Sequence, residues 1–427
     1  MKFIVKPSKL SGIASVPPSK SHTMRAVLFA SLAAGQSVIH NYLESPDTTA
    51  MINACRLLGA KITLEPDKLI IIGTAGKLQV PDEIIDAGNS GQVLRFIGAL
   101  AALIPGYTVI TGDASIRHKR PVQPLLNAIE QLGGFAVSTK NDGHAPIIIK
   151  GPIEGGYAEL SGEDSQPVSG MLIAAAFLPG ETEIKVHNPG ETPWIDLTLY
   201  WFKRLGIQYQ RNDYSYYKVN GKTQLAAFDY TVPSDFSSAA FPIVAALITG
   251  SKINLTNIDM QDVQGDKAII PALQSLGALI NYNEEQKILT VEKSPQLIGG
   301  NININDYVDA ITILSVLGCN VSTPLQITGA AIAKQKESNR IAAITQELNK
   351  MQGQAQEQTD GLLVMPKKLI GTTVESYHDH RMAMSLAVAG LTAEGTTVIN
   401  DVDCVAKSFA SFVAVMQQLG ADIQVVE

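Results

Sequence analysis

Eight basic residues, Lys20, Arg25, Arg95, Arg120, Lys336, Arg340, Arg381 and Lys407, stand at the polar openings of apolar stretches, and Asp309, Glu337 and His380 interrupt them. Guanidinium and ammonium groups in such numbers suit a small substrate carrying several negative charges, because Arg forks bind carboxylate and phosphate oxygens in pairs. A few acids and a His among them can move protons. The pattern therefore points to chemistry on a polyanion.

Each motif taken alone has a plainer meaning. Ser19-Lys20-Ser21 with Arg25 reads as a capping Ser beside two solvated cations, and Gly88-Asn89-Ser90-Gly91 before Arg95 as a glycine turn. Arg120-Pro121 reads as surface loop, and Asp164-Ser165-Gln166 and Asp235 with Ser237 and Ser238 as helix caps. The run Lys334 to Arg340, with Lys336, Glu337 and Arg340 on one side of a first helical turn, would ordinarily be a solvated face. His378 and His380 could ligate a metal, but no His/Cys/Asp cluster of ligand spacing accompanies them, so no metal is expected. Asp306 and Asp309 open an otherwise uncharged segment, where a near-buried acid requires a partner or a task.

The elements behind these motifs repeat. An apolar residue or two running into Gly recurs at Gly59, Gly133, Gly206, Gly277, Gly353 and Gly420, about 67 to 76 residues apart. Each Gly predicts a left-handed helix cap followed by an alternating strand. Ahead of each lies a short strand, 35–41, 106–112, 180–188, 250–257, 323–329 and 395–400. Ahead of each strand lies a helix apolar on all sides, 25–33, 95–104, 168–178, 237–248, 309–317 and 382–391, and such a helix is buried on all sides. The polar motifs sit at the N-termini of these six helices, where free N–H groups and the helix dipole favour anions. Six units exceed one comfortable core, so three and three is expected, with crossings at Pro17-Pro18 and Val232-Pro233. The division is residues 18–232 as one domain and 1–17 with 233–427 as the other, closed by the N-terminal strand.

Bulk properties narrow the setting. A net charge of -7 gives no global basic field for nucleic acid or an anionic membrane. Cys55, Cys319 and Cys404 are too scattered for a disulfide framework. No apolar run reaches the roughly 18 to 20 residues of a membrane span, and Met1 to Pro7 lacks the look of a targeting segment, so a cytoplasmic protein is expected.

As a collinear set over essentially the whole chain, these motifs resemble the 5-enolpyruvylshikimate-3-phosphate synthases of the enolpyruvyl transferase family. The resemblance implies an α/β fold, an inside-out α/β barrel of two domains, each of three βαβαββ repeats. It implies transfer of the enolpyruvyl group of phosphoenolpyruvate to shikimate 3-phosphate in aromatic amino-acid biosynthesis, with no cofactor and a monomeric protein. Lys20, Gly91, Arg120, Gln166, Arg340, Arg381 and Lys407 would hold phosphoenolpyruvate. Lys20, Ser21, Arg25, Ser165, Gln166 and Lys336 would hold the acceptor, and Asn89 belongs to the binding turn. Asp309 would be the base on the acceptor hydroxyl and would also contact the acceptor, Glu337 would handle the C3 proton, and Lys20, with His380 as a second candidate, would assist departure of phosphate. Retained Gly91 implies competition by glyphosate.

Three departures from the family pattern stand out. Gln92 replaces a usual Thr, Asp164 a usual Ser, and Glu191 a usual phosphate-binding Ser. Two acids beside a phosphate subsite would repel it unless they turn away or pair with a cation. They are the support for a different, possibly non-phosphorylated acceptor. The UDP-N-acetylglucosamine enolpyruvyl transferases carry a reactive Cys that 112–120 lacks. A non-catalytic repeat scaffold would have no reason to place acids and His among cations.

Overall fold

A helix without a polar stripe can only be satisfied inside a core, and Lys20–Leu32 is buried at every residue but its first. The computed structural model describes residues 1–427 and contains six such helices. The others are 93–101, Ser165–Ala175, Phe236–Thr249, 305–318 and His380–Gly390. Two open irregularly, which the apolar pattern does not reveal. The second begins as a π turn, Val93–Ile97, and the fifth as a 3-10 turn, Asn305–Ala310, broken at Tyr307 (φ -144°, ψ 47°). Asp309 therefore lies in a 3-10 turn rather than at the start of an α-helix. Single turns of both kinds recur where a helix must re-aim a functional group.

Each buried helix belongs to one four-stranded sheet, and all six sheets share one order. In four of them the strand entering a buried helix runs parallel to the strand leaving it, and two further strands complete the sheet in antiparallel pairing. Glu181–His187, for example, lies between parallel Tyr157–Ser161 and antiparallel Tyr216–Asn220. The predicted strands after the helices all form, as Gln36–His40, Tyr107–Thr111, Glu181–His187, Lys252–Thr256, Leu325–Thr328 and Thr397–Asn400.

The chain divides into two units, Met1–Pro17 with Pro233–Glu427, and Pro18–Val232. Each has its own buried hydrophobic cluster. The strand before the first buried helix, Ser11–Ser15, pairs with Lys252–Thr256, while Asp229–Thr231, before the fourth, pairs with Gln36–His40. Lys2–Lys6 is an inner strand between Thr397–Asn400 and Asp422–Val426.

Five of the predicted glycine caps are left-handed, from φ 73° at Gly206 to φ 109° at Gly59. At the remaining one Gln352 takes the left-handed conformation (φ 64°). Gly353 serves there as a close approach instead, since a Cβ would lie 2.7 Å from the Leu348 carbonyl oxygen. No helix is long and apolar enough to cross a membrane.

Candidate functional site

In the unit Pro18–Val232 the second and third helix openings and Arg120 meet at Gly91. A Cβ there would stand 2.7 Å from Arg95 Nη1, 2.9 Å from Gln166 Oε1 and 3.0 Å from Arg120 Nη1. Glycine is what allows three polar side chains to meet over the backbone. Arg95 donates to Gln166 Oε1 (3.3 Å) and to the Pro121 carbonyl (2.8 Å), which ties the second helix to the third and to the Arg120-Pro121 segment. Arg120 is buried, not a surface loop residue. Asn89 faces the other way: its amide donates to Asp113 Oδ2 (2.6 Å) and Ser115 Oγ (2.9 Å), anchoring the glycine turn to the helix Ala114–His118.

The first helix supplies the remaining groups. Ser19 caps it, and Ser21 Oγ accepts from Gln92 Nε2 at 3.4 Å. Lys20 Nζ lies 3.3 Å from Asp47 Oδ2, in the first turn of the Ser45-capped helix Pro46–Leu57. Asp47 escapes the sequence reading because Ser-Pro-Asp is an ordinary helix start, whose acid complements the dipole. Arg25 is buried against neutral acceptors: Thr198 Oγ1 (3.0 Å), the Ser21 carbonyl (3.2 Å) and the Trp194 carbonyl (3.1 Å). Phe96 lies 5.1 Å beneath its guanidinium, and burial pulls the Arg25 pKa down to about 9. A buried cation held by neutral groups favours an anionic ligand.

Of the two unusual acids, Asp164 is paired with a cation. Asp164 caps the third helix, accepting from Gln166 N (2.9 Å), and pairs with Arg95 Nη2 at 3.0 Å. Ser165 is buried directly behind it. Glu191 is also buried and sits in a left-handed conformation (φ 47°) ahead of the helix Thr192–Leu205.

In the other unit the fourth, fifth and sixth helix openings converge on Asp309. One Asp309 oxygen accepts from Arg340 Nη1 (2.6 Å) and the other from Arg381 Nη2 (2.8 Å). Arg381 also donates to Ser237 Oγ (3.0 Å), whose hydroxyl donates to the helix-capping Asp235 (2.7 Å). Arg340 donates further to Glu337 Oε2 (2.8 Å) and to Asp379 Oδ2 (2.8 Å), and Lys407 Nζ donates to Glu337 Oε1 (2.6 Å). Lys407 lies in a short helix, Ala406–Phe409, ahead of the last helix, Phe412–Gln418.

The Lys336 to Arg340 run is no solvated face. The helix begins only at Arg340, so Lys336 and Glu337 lie in the preceding bend, and Glu337 and Arg340 are buried. Paired charges at this density lose far less by burial than single ones. Burial raises the Asp309 carboxyl, but the charges of Arg381, Arg340 and Lys336 outweigh it and hold it well below the usual carboxylate range. For Arg340, burial lowers the pKa and Asp379, Glu337 and Asp309 more than restore it. His380 is buried with Nδ1 4.0 Å from Glu337 Oε1, whereas His378 is 81% exposed, so the two imidazoles part.

Asp379, between the two histidines, is fully buried. It accepts from Arg340, Ser338 Oγ (3.0 Å) and Arg381 N (2.9 Å), making it the hinge of the cluster. Its position just before an apolar helix is the cap signal that identifies it.

A family model described as EPSP synthase (3-phosphoshikimate 1-carboxyvinyltransferase) matches residues 4–416. The 3-phosphoshikimate 1-carboxyvinyltransferase of Chlamydia caviae is 44% identical over 427 residues, covering 99% of this chain and 95% of its own length. That of Acetivibrio thermocellus is 42% identical, with both chains covered completely. Among solved structures, the EPSP synthase of Acinetobacter baumannii superposes with a TM-score of 0.85 at 27% identity, covering both chains completely.

Proposed function

Because the chain belongs to the EPSP synthase family, we propose that it transfers the enolpyruvyl group of phosphoenolpyruvate to the 5-hydroxyl of shikimate 3-phosphate, releasing inorganic phosphate. The observation that carries the proposal is the Asp309 and Glu337 pair set among Arg340, Arg381 and Lys407. A reaction that adds an alcohol to an enol phosphate needs cations for the carboxylate and phosphate, one group to take the hydroxyl proton and one to serve C3.

These roles rest on the family resemblance and on the chemistry of each group. Lys20, Gly91, Arg120, Gln166, Arg340, Arg381 and Lys407 hold phosphoenolpyruvate. Ser21 and Arg25 meet the acceptor carboxylate, with Ser165, Gln166, Lys20 and Lys336 on its hydroxyls and phosphate. Asp309 takes the 5-hydroxyl proton as oxygen attacks C2, while Glu337 delivers a proton to C3, giving a tetrahedral ketal phosphate. Loss of a C3 proton then drives C2–O cleavage, and Lys20 neutralises the departing phosphate, with His380 as a second candidate. Cations aimed at charge that develops in the transition state are a large source of rate enhancement. The Asp164 charge, spent on Arg95, does not oppose an acceptor phosphate in the way a lone acid would.

The test is inorganic phosphate release from phosphoenolpyruvate with and without shikimate 3-phosphate. Release is expected only with the acceptor, and Lys20→Ala should slow it by about a hundredfold or more. Acceptor-independent release, or none, would refute the proposal.

A further inference from the structure

Asp309 occupies its two arginines in the way a substrate oxyanion would. Each of its oxygens takes one guanidinium, Arg340 at 2.6 Å and Arg381 at 2.8 Å, which is the spacing of charge-assisted bonds to a carboxylate or phosphate. It is also the most accessible acid of the cluster, 23% exposed against 8% for Glu337 and 0% for Asp379. Arg381, by contrast, is buried, and its Nε has no hydrogen-bond partner while Nη2 serves Ser237 and Asp309. A buried guanidinium nitrogen without an acceptor is costly, so an arriving oxyanion has something to gain there that Asp309 does not supply.

We propose that Asp309 is a specificity-determining residue as well as the base: it holds an anion's place on Arg340 and Arg381 and must be displaced from them by substrate. The inference rests on the reading that these arginines bind phosphoenolpyruvate. A single phosphate must compete with an internal carboxylate already in position, whereas phosphoenolpyruvate brings two anionic groups and can pass that threshold. Displacement also frees Asp309 from two cations, which strengthens it as a proton acceptor when the substrate arrives. Asp309 thus discriminates against the reaction's own product, inorganic phosphate.

The experiment is calorimetric titration of inorganic phosphate, and separately of phosphoenolpyruvate, into the full-length wild type and Asp309→Asn without acceptor. The variant should bind phosphate about tenfold more tightly than the wild type, with a smaller ratio between the two ligands' affinities. Equal or weaker phosphate binding in the variant would overturn the proposal. Thermal melts with and without phosphate accompany the titration, and Asp309→Ser replaces the variant if Asp309→Asn does not fold. A wild type that fails to release phosphate with shikimate 3-phosphate would refute the functional reading and leave this comparison standing. Normal wild-type turnover with no gain in phosphate affinity would sink the Asp309 role alone.

Discussion

At the scale of single residues, charge decides more than size. Asp309 is held below the usual carboxylate range by Arg381, Arg340 and Lys336 against the opposing effect of burial. A carboxyl depressed in the folded protein contributes stability above its ordinary pKa and loses it as pH falls through the depressed value. Asp309→Asn should therefore cost about 1–3 kcal/mol at pH 7. In urea titrations its gap to the wild type should narrow only below about pH 4. A gap unchanged between pH 5 and pH 2.5 would contradict the pairing. Gly91→Ala is a steric test: its Cβ would press on the ends of Arg95, Gln166 and Arg120. Those side chains can yield, so the fold should survive while the KM for phosphoenolpyruvate rises; an unchanged KM would show that Gly91 lies off the binding surface. The cations and acids of the cluster were legible because charge at the mouth of an apolar helix is rare. Their pairing was not, because Asp47 beside Lys20 and Asp379 beside Arg340 are contacts between distant segments that no spacing rule encodes.

At the scale of elements, the sixth helix opening is held under strain. Tyr377 (φ 57°) and His378 (φ 55°) are consecutive left-handed residues immediately before Asp379. Such conformations cost on the order of 1–3 kcal/mol each and persist only where their surroundings enforce them. The enforcement is visible: Tyr377 donates to buried Glu347 Oε1 at 2.6 Å, and Glu347 Oε2 accepts from Glu375 N at 3.0 Å. Tyr377→Phe should thus lower the midpoint of thermal unfolding, by about 1–3 kcal/mol of stability. It should also lower kcat/KM by loosening Asp379 and Arg381, although Tyr377 lies outside the proposed binding set. Loss of stability with full kcat/KM would make the latch merely structural. Strands and buried helices were readable from apolar runs and Gly punctuation, as with Glu181–His187 and Lys20–Leu32. The π turn at 93–97, the 3-10 turn at 305–310 and the left-handed pair at 377–378 were not, because tertiary contacts set them against local preference.

At the scale of the whole molecule, an acidic chain of net charge -7 gathers cations at helix openings within each unit, so attraction for a small polyanion would need no global field. The repeat pattern made six equivalent sheets legible, but not which strand fills each place. Lys2–Lys6 fills an inner place of the last sheet, with Phe3 and Val5 in the core. Deleting residues 1–6 should leave Thr397–Asn400 and Asp422–Val426 unbridged, and circular dichroism should show a markedly lower melting temperature; an unchanged melt would mean the strand is dispensable. The most direct measurement of the central claim follows both products together, by 13C and 31P nuclear magnetic resonance, with C2-labelled phosphoenolpyruvate and shikimate 3-phosphate. Equimolar appearance of inorganic phosphate and a labelled enol ether on the 5-oxygen is the expected result. Phosphate with labelled pyruvate in place of the ether, or label on another acceptor oxygen, would contradict it.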